Sequence, residues 1–334
     1  MTKMIQDNYG RGVSYLRLSI TDRCNLRCFY CRPVKGSGFT PHKNILTYED
    51  MLYLLQAASG MDIQKVRLTG GEPFVRRDIL YFLHRLKSKL PDMEIRLTTN
   101  ATLIAGKIRA LRDIGIKGLN ISLDTLDRDK YQRITGQDKL GSVMASIDRC
   151  LEEGIRIKIN AVALKGVNND ELGDFIRLAM DRPLDVRFIE FMPIGEKTLW
   201  EKDYYWSSAD LLAQAAKLTD LVPVDSLSLN HGPARMYKPG QGLGRVGVIS
   251  PLSEHFCATC NRLRVTANGR LRTCLFSDKE YSLLPLIRSP KVGPDRLRLV
   301  MERAGRKKPM GHELMSGGRK EKSLCRRVMS SIGG

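Results

Sequence analysis

The chain has 334 residues, 42% of them hydrophobic, which suits one large domain or a large one with a smaller companion and excludes a disordered or fibrous protein. No run of about 18 apolar residues occurs, which excludes a spanning helix, and the opening MTKMIQDNYG lacks a secretory apolar stretch, so a cytoplasmic location is expected. The 55 Lys and Arg against 36 Asp and Glu give a net charge of +19, which fits a polyanionic ligand or a solvated basic surface and selects neither.

Eight cysteines in a reducing compartment point to metal or redox chemistry rather than to disulfides. The first predicted strand, 13–20, leads into Cys24, Cys28 and Cys31, three thiols within eight residues at C-x3-C-x2-C spacing. Cubane iron-sulfur clusters usually take four thiolates, so three local ligands leave one iron open for a small molecule. A Cys28/Cys31 dithiol, to which Cys24 would be superfluous, and a zinc site with a remote fourth ligand are the alternatives.

A helical pattern over 48–59 follows, then a strand over 63–69 ending in Gly70-Gly71-Glu72-Pro73. By itself this is a tight turn; beside the cysteine loop it suits close approach of backbone to a ligand, with Glu72 accepting from an ammonium group. Helical spacing at 78–89, 105–114, 141–153 and 170–180 alternates with strand patterns at 94–98, 118–123, 155–164 and 185–191. Repeated βα units of this length pair in parallel, as an open doubly wound sheet or an incomplete barrel; the incomplete (βα)6 TIM-type barrel is preferred.

After Pro193 the pattern changes to a Trp- and Tyr-bearing helical stretch, Gly- and Pro-rich sequence over 231–248, and short strands over 263–275. This predicts a smaller C-terminal α+β domain, with domains at 1–193 and 194–334. It carries a second trio, Cys257, Cys260 and Cys274, and between the last two of these lie Arg262 and Arg264, which alternation puts on one strand face, a suitable fork for phosphate. Structural zinc with His255 as fourth ligand is the competing reading. Cys150 and Cys325 have no partner at ligand spacing and read as spare thiols.

With Tyr30 before its last cysteine, the first loop resembles the radical S-adenosylmethionine superfamily. The segments 21–28, 67–73, 120–124, 190–193 and 257–274, with the closing Ile332-Gly333-Gly334, resemble its GTP 3',8-cyclase family of molybdenum cofactor biosynthesis over nearly the whole length. The resemblance implies two [4Fe-4S] clusters held by Cys24, Cys28, Cys31 and by Cys257, Cys260, Cys274. It implies S-adenosylmethionine against Tyr30, Gly71, Glu72, Ser122 and Met192, and GTP on Arg17, Arg67, Thr98, Lys158, Arg262 and Arg264. An adenosyl radical would take hydrogen from ribose C3', and that carbon would attack guanine C8 to give (8S)-3',8-cyclo-7,8-dihydro-GTP. The implied partners are a second copy of the chain, an electron-donor protein and a downstream cyclic pyranopterin monophosphate synthase, with no membrane or nucleic acid. The superfamily's adenine-contacting pattern is only loosely met over 162–166. A radical enzyme acting on RNA, or a zinc-stabilised nucleic-acid-binding protein, would also account for the charge and the extra cysteines.

Overall fold

The computed structural model describes residues 4–31, 38–195, 202–224, 232–316 and 325–333. A short antiparallel hairpin, β1 (Ile5–Gln6) with β2 (Gly12–Val13), precedes the six anticipated strands. These are β3 (Tyr15–Ser19), β4 (Lys65–Thr69), β5 (Glu94–Thr99), β6 (Gly118–Ser122), β7 (Arg156–Ala163) and β8 (Asp185–Glu190), each parallel to the next. Alternation decides what each face meets. Leu16 and Leu18, Val66 and Leu68, and Ile157 and Ile159 are buried in the main core, while Tyr15, Arg17, Lys65, Arg67 and Lys158 share the opposite, polar face.

The connecting helices are α1 (Tyr48–Ser59), α2 (Ile79–Lys89), α3 (Ile108–Asp113), α4 (Arg128–Thr135), α5 (Leu140–Glu152) and α6 (Leu172–Asp181). In α1, a reciprocal capping box between Thr47 and Asp50 satisfies the first-turn amides, a contribution of about 1 kcal/mol. Helix α4 was not anticipated; it buries only Tyr131, Ile134 and Thr135, too few apolar positions to register as a period. Asp127 caps it and Gly136, at φ 73°, ends it.

The C-terminal third adds α7 (Ser208–Ala215) and strands β9 (Leu221–Val224), β10 (Arg235–Pro239), β11 (Arg245–Ile249), β12 (Arg262–Val265), β13 (Arg270–Arg272) and β14 (Tyr281–Ser282). Helices α8 (Leu284–Arg288), α9 (Pro294–Arg306), α10 (Gly311–Ser316) and α11 (Met329–Ile332) follow. The Gly- and Pro-rich segment thus holds two strands rather than only turns. Its glycines answer to packing: a Cβ on Gly244 would stand 1.9 Å from the Leu184 carbonyl oxygen, so only glycine lets β11 enter beside β8.

Strands β12 and β11 pair in parallel with β3 and β8. The mixed sheet therefore has twelve strands in the order β14-β13-β12-β3-β4-β5-β6-β7-β8-β11-β10-β9, and the anticipated parallel run of six is extended at both edges by strands from the C-terminal third. No helix among the described residues is long and apolar enough to cross a membrane.

Candidate active site

Because the strands run parallel, every loop leaving a strand's C-terminal end opens at one end of the sheet. Cys24, Cys28 and Cys31 follow β3 there. The Arg27 amide donates to the Thr135 carbonyl (2.8 Å) and the Phe29 amide to that of Ile134 (3.1 Å), so α4 fixes the loop. Asn100, just past β5, donates to Asn25 (3.0 Å) and lies 3.8 Å from the Cys24 sulfur. Burial, with Asp124 and the thiols of Cys31 and Cys24 close by, pushes the Cys28 thiol well above its usual range.

Gly70 and Gly71 make this loop possible. A Cβ on Gly70 would lie 2.3 Å from the Thr21 carbonyl oxygen, and one on Gly71 2.2 Å from that of Arg23. Glu72 is 1% exposed. It accepts from the Phe74 amide (3.1 Å), the Thr99 hydroxyl (2.7 Å) and the Asn100 amide (2.6 Å), tying the turn after β4 to the end of β5. Burial outweighs these bonds and raises its pKa to about 7. Tyr30 donates to Asp124 (2.5 Å), whose pKa burial lifts to about 6, and its ring meets Phe191 edge-on at 6.3 Å. Ser122 ends β6. Met192, past β8, packs against Ile194, Phe276, Cys325 and Ile332 rather than standing alone in the main core.

The second trio gathers at the other end of the sheet. Cys260 lies just before β12, and the Tyr15 amide donates to the Asn261 carbonyl (3.3 Å), so these thiols sit level with the start of β3 and the first trio with its end. The five residues of β3 separate them, roughly 17 Å at about 3.3 Å per residue. Gly311 leaves room here, for a Cβ on it would sit 3.3 Å from the Cys274 sulfur and 3.4 Å from that of Cys257. His255 hydrogen-bonds the Pro251 carbonyl through Nδ1 (2.9 Å) and stacks on His312. Among the described residues no group of three or more His, Cys, Asp or Glu is arranged to hold a single metal ion. A cubane takes one thiolate on each of several irons, so its ligands need not converge as those of one zinc do.

Between the trios the polar face is a bank of cations. Register places Arg264 beside Arg17 and Arg17 beside Arg67, with Lys158 beside Asp185 two strands beyond Thr98. Arg67 donates to the Tyr15 hydroxyl (2.5 Å) and reaches Thr98 (3.4 Å). Arg262 lies over the Phe256 ring at 5.0 Å, and Arg264 donates to the Gly333 carbonyl (2.9 Å). Of the carboxylates on this face, Asp185 is already held by Arg245 (2.8 and 2.9 Å) and stands 3.8 Å from Lys158, and Glu94 is held by Lys65 (2.8 Å) and Arg96.

Burial lowers the Arg17 pKa to about 10, and burial with the neighbouring Arg187 lowers that of Lys158 to about 8. For Tyr15, burial pulls upward but Arg67 and Arg17 prevail, giving about 8. Arg187 was missed in the sequence. It is 8% exposed, its Nε and one terminal nitrogen have no partner among the described residues, and burial lowers its pKa to about 10. Its signal was an arginine in the middle of a buried parallel strand. Cys150 packs in the core, whereas Cys325 is no bystander: the wholly buried Arg272 donates to its sulfur at 3.0 Å. Gly334, with the chain over 32–37, lies outside the described residues.

The family model described as Radical SAM superfamily matches residues 18–179, and that described as Molybdenum Cofactor Synthesis C matches residues 184–314. The chain is similar to the GTP 3',8-cyclase of Alkaliphilus oremlandii, 41% identical over 99% of this chain and 100% of the relative. It is also similar to the enzyme of that name from Desulforamulus reducens, 41% identical over 98% and 99%, and to that from Listeria monocytogenes, 39% identical over 99% and 100%. Among solved structures, Streptococcus suis SuiB bound to S-adenosylmethionine shares the fold, with a TM-score of 0.60 and 16% identity over 92% of this chain and 69% of that one.

Proposed function

The chain belongs to the GTP 3',8-cyclase family of radical S-adenosylmethionine enzymes, and from that premise we propose how its residues divide the reaction that opens molybdenum cofactor biosynthesis. The observation that carries the reading is the bank of cations, Arg187 and Arg264 buried and the others partly so, lying between two separate cysteine trios.

Cys24, Cys28 and Cys31 would hold a [4Fe-4S] cluster, which with S-adenosylmethionine bound would supply one-electron cleavage chemistry. Tyr30, Gly71, Ser122 and Met192 line the S-adenosylmethionine site. Glu72 belongs to that site as well, its three protein donors fixing the loops while a carboxylate keeps acceptor capacity for an ammonium group. Arg17, Arg67, Thr98, Lys158, Arg262 and Arg264, with Arg187 added, take GTP, whose triphosphate offers anions to a face on which cations outnumber carboxylates. Cys257, Cys260 and Cys274 hold a second [4Fe-4S] cluster at the far end, so that a nucleotide clamped between the trios turns its ribose toward the first and its base toward the second. Positioning and exclusion of water are the protein's contribution.

We read the open parallel run as an incomplete (βα)6 TIM-type barrel over 1–193, completed by a C-terminal α+β domain over 194–334. A cytoplasmic homodimer, reduced by an electron-donor protein and passing its product to cyclic pyranopterin monophosphate synthase, is the setting we infer.

The test uses anaerobically reconstituted, dithionite-reduced protein with S-adenosylmethionine and either GTP or RNA. Formation of 5'-deoxyadenosine together with a cyclised nucleotide, dependent on GTP, is expected. Turnover with RNA alone would leave the first cluster in place and remove the substrate assignment.

A further inference from the structure

Lys308 is 2% exposed, yet no carboxylate faces it among the described residues. Its ammonium group donates to the carbonyls of Arg262 (3.1 Å) and Thr273 (2.9 Å), and its third contact is the Cys260 sulfur at 3.3 Å. A buried ammonium without an anion is costly, and the thiolate of Cys260 is the anion this position offers. The two carbonyls belong to the residue two past Cys260 and the residue just before Cys274, so one side chain reaches both arms of the trio.

The turn that presents Lys308 is itself fixed. Arg11 donates to the carbonyls of Lys308 (3.0 Å), Pro309 (3.1 Å) and Cys257 (2.7 Å) and is held by Asp7 (2.5 Å). The N-terminal hairpin therefore locks the 308–311 turn over the second trio, with Gly311 against two of its sulfurs.

We propose that Lys308 is a positioning residue that sets the reduction potential of the second cluster through a charged hydrogen bond to the Cys260 sulfur, an inference resting on the two-cluster reading above. A cation donating to a ligand sulfur favours the reduced, more negative cluster, so its removal lowers the potential.

The test is a redox titration followed by electron paramagnetic resonance, with iron analysis, on anaerobically reconstituted full-length chains. Lys308→Met is expected to keep the iron of both clusters and shift only the second cluster's midpoint downward, and Lys308→Arg to recover part of the shift. A loaded Lys308→Met chain with an unchanged midpoint overturns the proposal. Should Lys308→Met not hold the second cluster, Lys308→Gln, which keeps a donor without the charge, takes its place under the same criterion. Loss of that cluster from all three variants would make Lys308 a brace and overturn the proposal as well. Iron for only one cluster in the unsubstituted enzyme would instead sink the two-cluster reading, and the iron count tells the two failures apart.

Discussion

Arg187 is the residue on which the proposed nucleotide site can be tested most directly. Two of its nitrogens are buried without an acceptor among the described residues, a cost that a triphosphate would relieve. Arg187→Met should raise KM for GTP roughly 10- to 100-fold, corresponding to about 1.5–3 kcal/mol of lost charged hydrogen bonds, while leaving thermal stability level or higher. Steady-state kinetics beside a melting curve would check both.

Lys158 and Tyr15 carry a pH signature. Each titrates near 8 in the folded chain, so raising the pH above about 8 removes a cation and adds an anion on the face proposed to take GTP, and kcat/KM for GTP should fall there. Stability moves the other way: between about 8 and their ordinary values of 10.5 and 10.0 the folded chain holds fewer protons than the unfolded one, so stability rises with pH. A pH profile in which Tyr15→Phe retains the full alkaline fall would exclude Tyr15 from it. Alternation by itself leaves open whether strand residues such as Arg17 and Lys158 face outward into solvent. Register with Arg67, Thr98 and Asp185 settles their face, and register is a property of neighbouring strands.

At the scale of elements, the first cysteine loop is shaped by what packs on it. Gly71→Ala would drive a Cβ to within 2.2 Å of the Arg23 carbonyl oxygen, backbone that cannot yield cheaply. The variant should lose the iron of the first cluster and keep that of the second, which iron analysis and visible absorbance would resolve. The six main strands were legible because their apolar alternation is local and continuous. Helix α4, although it holds the cysteine loop through the Thr135 and Ile134 carbonyls, was not legible, since eight residues with few apolar positions give no period. Strands β10 and β11 were hidden by glycines whose purpose, close approach to α6 and β8, appears only once the chain is folded.

For the whole molecule, the chain's end matters. Gly333 adopts φ 75°, and a Cβ there would press Ser19 at 3.0 Å and Thr69 at 3.1 Å, while its carbonyl accepts from Arg264. The tail thus lies on the polar face between the trios. Deleting Gly333 and Gly334 should leave GTP binding and both clusters in place but admit water, so that 5'-deoxyadenosine forms without a matching yield of cyclised nucleotide. Equal ratios of the two products in parent and truncated chains would refute this.

By itself, the sequence determined the thiol spacing of the two trios and the βα order, because thiol spacing and apolar alternation are written over short stretches of chain. Only the tertiary structure decided that β12 and β11 extend the parallel run at its two edges, that Arg187 joins the cationic face, and that Lys308 and Arg11 meet around the second trio. Those contacts join residues up to roughly 300 positions apart, and chain closure over such separations is set by how the whole sheet assembles, which no local pattern encodes.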